Sequence, residues 1–140
     1  MTLLLDAAPL VALADPDEPQ RDSILEVLAE ERGALVIPAP VTAEIDYLLG
    51  QRFGHAARRA FLRDLAAGRF TVASLNREDY ATIVELDTRY EDLQLGLADC
   101  SLVVLADRFG THRIVSFDDR HFRAVTPLSG EAFTLLPADA

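Results

Sequence analysis

Asp6, Glu44, Asp99 and Asp118 lie far apart in the chain, yet each stands at the edge of a hydrophobic segment. Asp6 ends the apolar run Thr2-Leu3-Leu4-Leu5, and Glu44 interrupts a helical apolar pattern. Asp99 opens the run Cys100 to Ala106, and Asp118 follows Ile114-Val115-Ser116-Phe117. An α/β fold would bring such positions together. Converging carboxylates repel one another unless a cation neutralises them, so the chemistry suggested is that of a divalent-metal site.

Each acid also has a purely structural reading. Asp6 could cap a helix, a contribution of about 1 kcal/mol. Asp99, three residues after Gly96, could complement a helix dipole, and Asp118 or Asp119 could cap the turn before His121. Glu44 resists such a reading. Val41, Ile45, Leu48 and Leu49 define a buried stripe, and Glu44 is one turn from both Val41 and Leu48, so it is expected on their face, where a charge needs a partner. Asp46 lies roughly 200° around the helix from Glu44 and points elsewhere. Asp107 is roughly 12 Å beyond Asp99 along a helix and cannot reach the same ion. Asp118 is preferred to Asp119 because Ser116 and Asp118 share one side of an extended segment, which lets the hydroxyl support the carboxylate.

The elements that must position these acids alternate. Residues 2–5 read as a buried strand, with Asp6 capping a helix whose Pro9 is tolerated in the first turn. A helix from about Pro19 to Glu31 turns Ile24, Leu25 and Leu28 inward, and Gly33 stops it. Ala34 to Ile37 form a strand, and Pro38 and Pro40 lead into a helix through Leu49. Phe53, Ala57, Ala60, Phe61 and Leu65 recur at helical spacing, predicting a helix over 52–67 ended by Gly68. Phe70 to Ala73 are a strand, and Asn76 caps a helix carrying Tyr80, Ile83, Val84 and Tyr90. The helix from about Leu97 to Phe109 is apolar almost all round and therefore buried. Arg113 to Phe117 and Phe133 to Leu136 are the last strands. Such alternation implies one α/β domain over residues 1–140, with a loose tail at its last few residues. Its mainly parallel sheet of about four to five strands has helices on both faces. Ligands of open sheets bind beyond the carboxyl ends of the strands, where Asp6 and Asp118 lie.

Composition narrows the chemistry. One cysteine, Cys100, rules out an internal disulfide and a multi-cysteine zinc site. His55, His112 and His121 lack the paired spacing of a zinc motif and read as surface or hydrogen-bonding residues. A net charge of −10 argues against non-specific attraction of the whole surface to nucleic acid, though not against a local site. All thirteen basic residues are arginine. Arg52, Arg58, Arg59, Arg63 and Arg69 fall together with Asp64 as their only acid, a stretch suited to phosphate or simply to solvent. Without lysine or a glycine-rich turn there is no P-loop, and phospho-receiver and many aspartate-based phosphatase sites become implausible. No apolar stretch approaches the roughly 20 residues of a membrane span. Met1 reads as the start of a cytoplasmic protein, without a signal peptide.

The fragments Leu4-Leu5-Asp6 followed by Leu10-Val11-Ala12-Leu13, Thr42-Ala43-Glu44-Ile45, Leu95-Gly96-Leu97-Ala98-Asp99-Cys100-Ser101 and Ser116-Phe117-Asp118-Asp119-Arg120-His121-Phe122 together resemble a PIN domain, and specifically the VapC toxins of bacterial toxin–antitoxin pairs. The resemblance covers nearly the whole chain. It implies that Asp6, Glu44, Asp99 and Asp118 hold Mg²⁺ or Mn²⁺, with Asp6 and Asp99 as the direct ligands and Glu44 and Asp118 completing the shell. The implied activity is metal-dependent endoribonuclease cleavage of RNA. The implied partners are a small VapB-type antitoxin that covers the site and a second copy in a homodimer, assembled as a toxin–antitoxin hetero-oligomer. Two departures stand out: Ala7 and Ala8 where many relatives place a hydroxyl after the first aspartate, and Ser116 where threonine often begins the last motif. Two other classes remain open, a catalytically silent PIN-like binding module and a small metal-dependent phosphatase. The second is weakened because Asp6 is followed by Ala7-Ala8, without the second acid of an Asp-x-Asp site.

Overall fold

The short apolar runs lie side by side in the computed structural model, which describes all of residues 1–140. They form β1 (Leu3–Leu5), β2 (Leu35–Pro38), β3 (Thr71–Ala73), β4 (Arg113–Val115) and β5 (Thr134–Leu136). Every pairing is parallel, in the order β3-β2-β1-β4-β5. Between the strands run α1 (Ala7–Ala12), α2 (Arg21–Glu30), α3 (Ala39–Phe53), α4 (His55–Ala66), α5 (Arg77–Arg89), α6 (Leu97–Arg108) and α7 (Asp119–Ala124), with a single 3-10 turn at Glu91–Leu93. The expected α/β architecture is present, and its sheet is wholly parallel. No helix is long and apolar enough to cross a membrane.

Alternation along the strands divides the core into two. Leu4, Val36, Ala73, Ile114 and Leu135 pack with Ile83 and Leu86 of α5 and Leu102 and Leu105 of α6. Their neighbours Leu3, Leu5, Ile37, Val115 and Leu136 pack with α1 to α4, through residues such as Leu10, Ile24, Ile45 and Phe61. Helices therefore cover both faces, as strands apolar on both sides require. Cys100 through Ala106 are all buried, which makes α6 the most enclosed helix and fixes the residues at its start.

Local details depart from the sequence reading for identifiable reasons. In α2 Ile24 is fully buried but Leu25 is exposed, because the helix hides only a narrow stripe. Gly33 is not the helix stop; α2 ends at Glu30. A Cβ on Gly33 would come within 2.0 Å of the Met1 carbonyl oxygen, so glycine serves a close chain crossing there. Phe53 is the last residue of α3, not the first turn of the next helix. Gly54, at φ +90°, breaks the chain between α3 and α4. Glu44 is exposed, although Val41, Ile45 and Leu49 are buried as expected. The buried arc of α3 is narrower than the stripe inferred from spacing, and Glu44 sits on its shoulder. Near the end of the chain Arg123 meets Asp139 in a two-pronged contact at 2.7 and 2.5 Å, and the Leu135 amide donates to the same carboxylate.

Asn76 caps α5 as read from the sequence, and reciprocally: the Asp79 amide donates to its Oδ1 at 2.9 Å, and its own amide donates to Asp79 Oδ2 at 2.8 Å. Asp79 also pairs with Arg108 at the end of α6. Asn76→Ala should lower unfolding stability by about 1 kcal/mol, and Asn76→Gly by only about 0.3 kcal/mol. Urea denaturation with an unchanged slope checks both.

Candidate metal centre

The strand register builds the site. Leu4 pairs with Ile114 and Leu5 with Val115, so one step further Asp6 stands beside Ser116, both on the α6 side of the sheet by alternation. From β1 the chain winds to one side through β2 and β3, and β4 and β5 lie on the other. The crevice between β1 and β4 is thus the switch point at which open parallel sheets bind ligands. Ser116 Oγ donates to Asp6 Oδ2 at 2.8 Å, and Asp6 Oδ1 accepts from the Ala7 amide at 2.8 Å. The fully buried Ser116 also accepts the Asp118 amide at 3.0 Å. Its hydroxyl therefore orients the Asp6 carboxylate and the Asp118 backbone, not the Asp118 carboxylate as the extended reading suggested. It also supplies the support for Asp6 that Ala7 and Ala8 cannot.

Asp99 enters from the first turn of α6, held by the buried helix behind it. Asp118 is the N-cap of α7, where its Oδ1 accepts the His121 amide at 3.1 Å. His121 Nδ1 lies 3.0 Å from Asp99 Oδ2 and 2.7 Å from Asp118 Oδ2. Ligand-type atoms of Asp99, Asp118 and His121 all fall within 4.8 Å of one another. Asp6, Glu44, Asp99 and Asp118 line one open cleft of about 690 Å³, with Gly96, Leu97 and Phe117 among its walls.

All four sequence-predicted acids therefore share one cleft. Asp99 and Asp118 are bridged by His121, Ser116 ties Asp6 to the start of the Asp118 segment, and Glu44 reaches the cleft from α3. Asp119 is exposed and does not line it, which separates it from Asp118. Asp46 turns away as expected and pairs with Arg58 Nε at 2.8 Å. Asp107 instead accepts from Ser129 Oγ at 2.7 Å. The residue that sequence reasoning missed is His121. Its lack of zinc-type spacing set it aside, but its place three residues after Asp118 on a short helix was the signal: i and i+3 share a face.

The electrostatics are those of acids crowded together. Burial, opposed in part by the Ser116 and Ala7 hydrogen bonds, raises the pKa of Asp6, and Asp118 adds to the rise. Burial also raises Asp99, followed by the charges of Asp6 and Asp118, while His121 pulls it back. Glu44 is raised by loss of water on its cleft side and then by Asp6 and Asp99. A cation in the cleft would relieve all three. Cys100, the next residue after Asp99, is buried, and burial pushes its thiol up to about 11, so it offers no thiolate.

A PIN-domain family model matches residues 3–126. Over 135 residues the chain is 37% identical to ribonuclease VapC26 of Mycobacterium tuberculosis (strain ATCC 25618 / H37Rv), an alignment covering 96% of this chain and 100% of the relative. Among solved structures, the fold matches Mycobacterium tuberculosis VapC20, described as a sarcin–ricin loop cleaving toxin. That match has a TM-score of 0.77 at 16% identity and covers 91% of this chain and 99% of the other. It also matches VapBC2 from Rickettsia felis bound to a DNA fragment from its promoter, with a TM-score of 0.70 at 18% identity over 96% and 98% of the two chains. A family model spanning most of the sequence agrees with a relative of this identity aligned nearly end to end: the chain belongs to the PIN-domain family.

Proposed function

We propose that this protein is the toxin of a toxin–antitoxin pair, an endoribonuclease dependent on Mg²⁺ or Mn²⁺ that hydrolyses RNA in the cytoplasm, works as a homodimer and is restrained by a small VapB-type antitoxin. One observation carries the reading. Asp6, Glu44, Asp99 and Asp118, from four separate segments, line one cleft in a chain 37% identical to a ribonuclease along nearly its whole length.

The donor set fits a hard divalent cation: carboxylate oxygens predominate, with one imidazole at the margin. Asp99 and Asp118, both within reach of His121, and Asp6 are the residues to hold it. When bound, such an ion lowers the pKa of an attacking water and offsets charge growing on the phosphoryl oxygens. The chain's own groups do the rest. Ser116 fixes the rotamer of Asp6, and His121 aligns the facing oxygens of Asp99 and Asp118. Glu44, the most open of the four and raised in pKa, is suited to take a proton from the attacking water. Two further features suit an antitoxin. An apolar groove of about 330 Å³, lined by Leu10, Leu13, Leu49, Phe61 and Phe70, offers a seat for a peptide segment. The acidic cleft would accept a basic side chain from the same segment. Within the arginine stretch, Arg58 and Arg69 are already paired with Asp46 and Asp64, while Arg52, Arg59 and Arg63 are exposed and make no ion pair.

Asp99→Asn should lower Mg²⁺-dependent RNA cleavage by at least about a hundredfold. Chelator should abolish cleavage by the wild type. Equal cleavage by Asp99→Asn and wild type would remove the assignment.

The same variant should be more stable than the wild type when both are metal-free at pH 7. The sign follows from linkage: the Asp99 pKa is raised in the folded chain, so the native state binds the extra proton and its stability falls as pH rises through that pKa. Asparagine removes this loss. The advantage of Asp99→Asn should shrink as pH falls below the ordinary carboxylate range, and saturating Mg²⁺ at pH 7 should raise the melting temperature of the wild type more than that of the variant. Thermal scans at several pH values, with and without Mg²⁺, read both effects.

A further inference from the structure

A second cavity, of about 240 Å³, adjoins the acidic cleft. Ala8 and Phe117 line both, so the two form one continuous surface. Arg52 and Phe53, at the end of α3, form another wall, and Asp15 and Glu18, from the segment after α1, complete it. Phe53 is 37% exposed and held at the helix end by the break at Gly54. Arg52 is exposed, takes part in no ion pair, and is the only arginine lining either cavity.

An open aromatic ring beside an unpaired guanidinium has the chemistry of a surface that holds unstacked bases: the ring stacks a base and the guanidinium takes a phosphate. The acids give the cavity selectivity. Asp15 Oδ1 accepts the Asp17 amide at 2.9 Å and Glu18 Oε1 accepts the Gln20 amide at 3.4 Å, leaving one carboxylate oxygen on each as a free acceptor. Carboxylates only accept, so they favour a base edge made of donors. Guanine presents adjacent N1–H and N2–H₂ groups. Uracil flanks its single N–H with two carbonyls that a carboxylate would repel.

We propose that this side cavity, on the ribonuclease reading above, is a base-recognition subsite. It takes the base next to the scissile phosphate between Phe53 and Phe117, places the adjoining phosphate at Arg52, and prefers guanine over uracil through Asp15 and Glu18.

Mapping cut ends on an RNA pool randomised around the cleavage point tests this, in Mg²⁺, with wild type, Phe53→Ala, Arg52→Ala and the pair Asp15→Asn with Glu18→Gln. The wild type should show guanine enriched at one position adjoining the cut. Phe53→Ala should raise KM about tenfold, with a smaller change in kcat, and weaken that preference. The double amide variant should retain cleavage but lose discrimination between guanine and uracil. Unchanged KM and unchanged base preference in Phe53→Ala and the double variant would overturn the subsite while leaving the nuclease reading in place. A binding arm separates the two ideas. In the Asp99→Asn background, fluorescence anisotropy should show a guanine-containing oligoribonucleotide bound more tightly than its uracil counterpart, with the difference lost on Phe53→Ala. Equal affinities refute the subsite even if the wild type were to cleave no RNA at all. Loss of affinity only for a protein inhibitor, with RNA binding intact, would assign the cavity to that partner and defeat the proposal.

Discussion

Mutual repulsion among carboxylates, held in place by a core that cannot relax, is the constraint around which this molecule is arranged. Asp6 is anchored by a strand whose Leu3, Leu4 and Leu5 are fully buried, and Asp99 by a helix buried from Cys100 to Ala106. Neither can swing away without opening the core. Burial then makes their negative charge costly, which is why Asp6 and Asp99 both carry raised pKa values. A fold that needed only stability would place leucine or asparagine there. Stability given up at a site in this way is what binding of a cation would restore.

Three helix N-termini soften the repulsion. Asp6 caps α1, Asp118 caps α7, and Asp99 sits in the first turn of α6. The positive ends of three backbone dipoles therefore meet the acidic cluster. The structural reading of each acid and the functional one are thus not rivals. Each residue caps or flanks a helix, and that same role points its carboxylate at a shared space. Ser116 and His121 complete the arrangement with hydrogen bonds that fix which oxygen faces inward, an orientation a helix end alone does not set.

Much of this was legible in the sequence, and the parts that were not share a cause. Strands and helices are legible because apolar residues cluster or recur at the period of each element even where its ends shift by a residue or two; Asn76, Gly68 and the buried run after Asp99 follow from chemistry local to each. Glu44 reaches the cleft although it is not on the buried face, since α3 buries a narrower arc than residue spacing implies. Gly33, expected to stop a helix, instead admits a neighbouring chain, and the helix break falls at Gly54. Whether a glycine ends a helix or admits a neighbouring chain depends on Met1, a residue distant in sequence. His121 stayed hidden for the same reason, because its partner Asp99 lies 22 positions away and only the β1–β4 crevice brings the two together. Periodicity encodes which face a residue takes. It does not encode what stands opposite.

That distinction bears on how an acidic protein could act on a polyanion. With a net charge of −10 the surface as a whole repels nucleic acid, and long-range attraction cannot guide an encounter. Recognition must come from contacts that work at short range. A ring such as Phe53 stacks a base whatever the surrounding field, and one unpaired arginine at the rim of the cleft meets a phosphate only after the strand has arrived. Repulsion elsewhere then becomes a filter: a substrate that offers no unstacked base to hold is turned away, and one that presents an exposed loop gains the local contacts that outweigh the field. An acidic surface makes indiscriminate binding weak, and so leaves the decision to the few residues around the cleft.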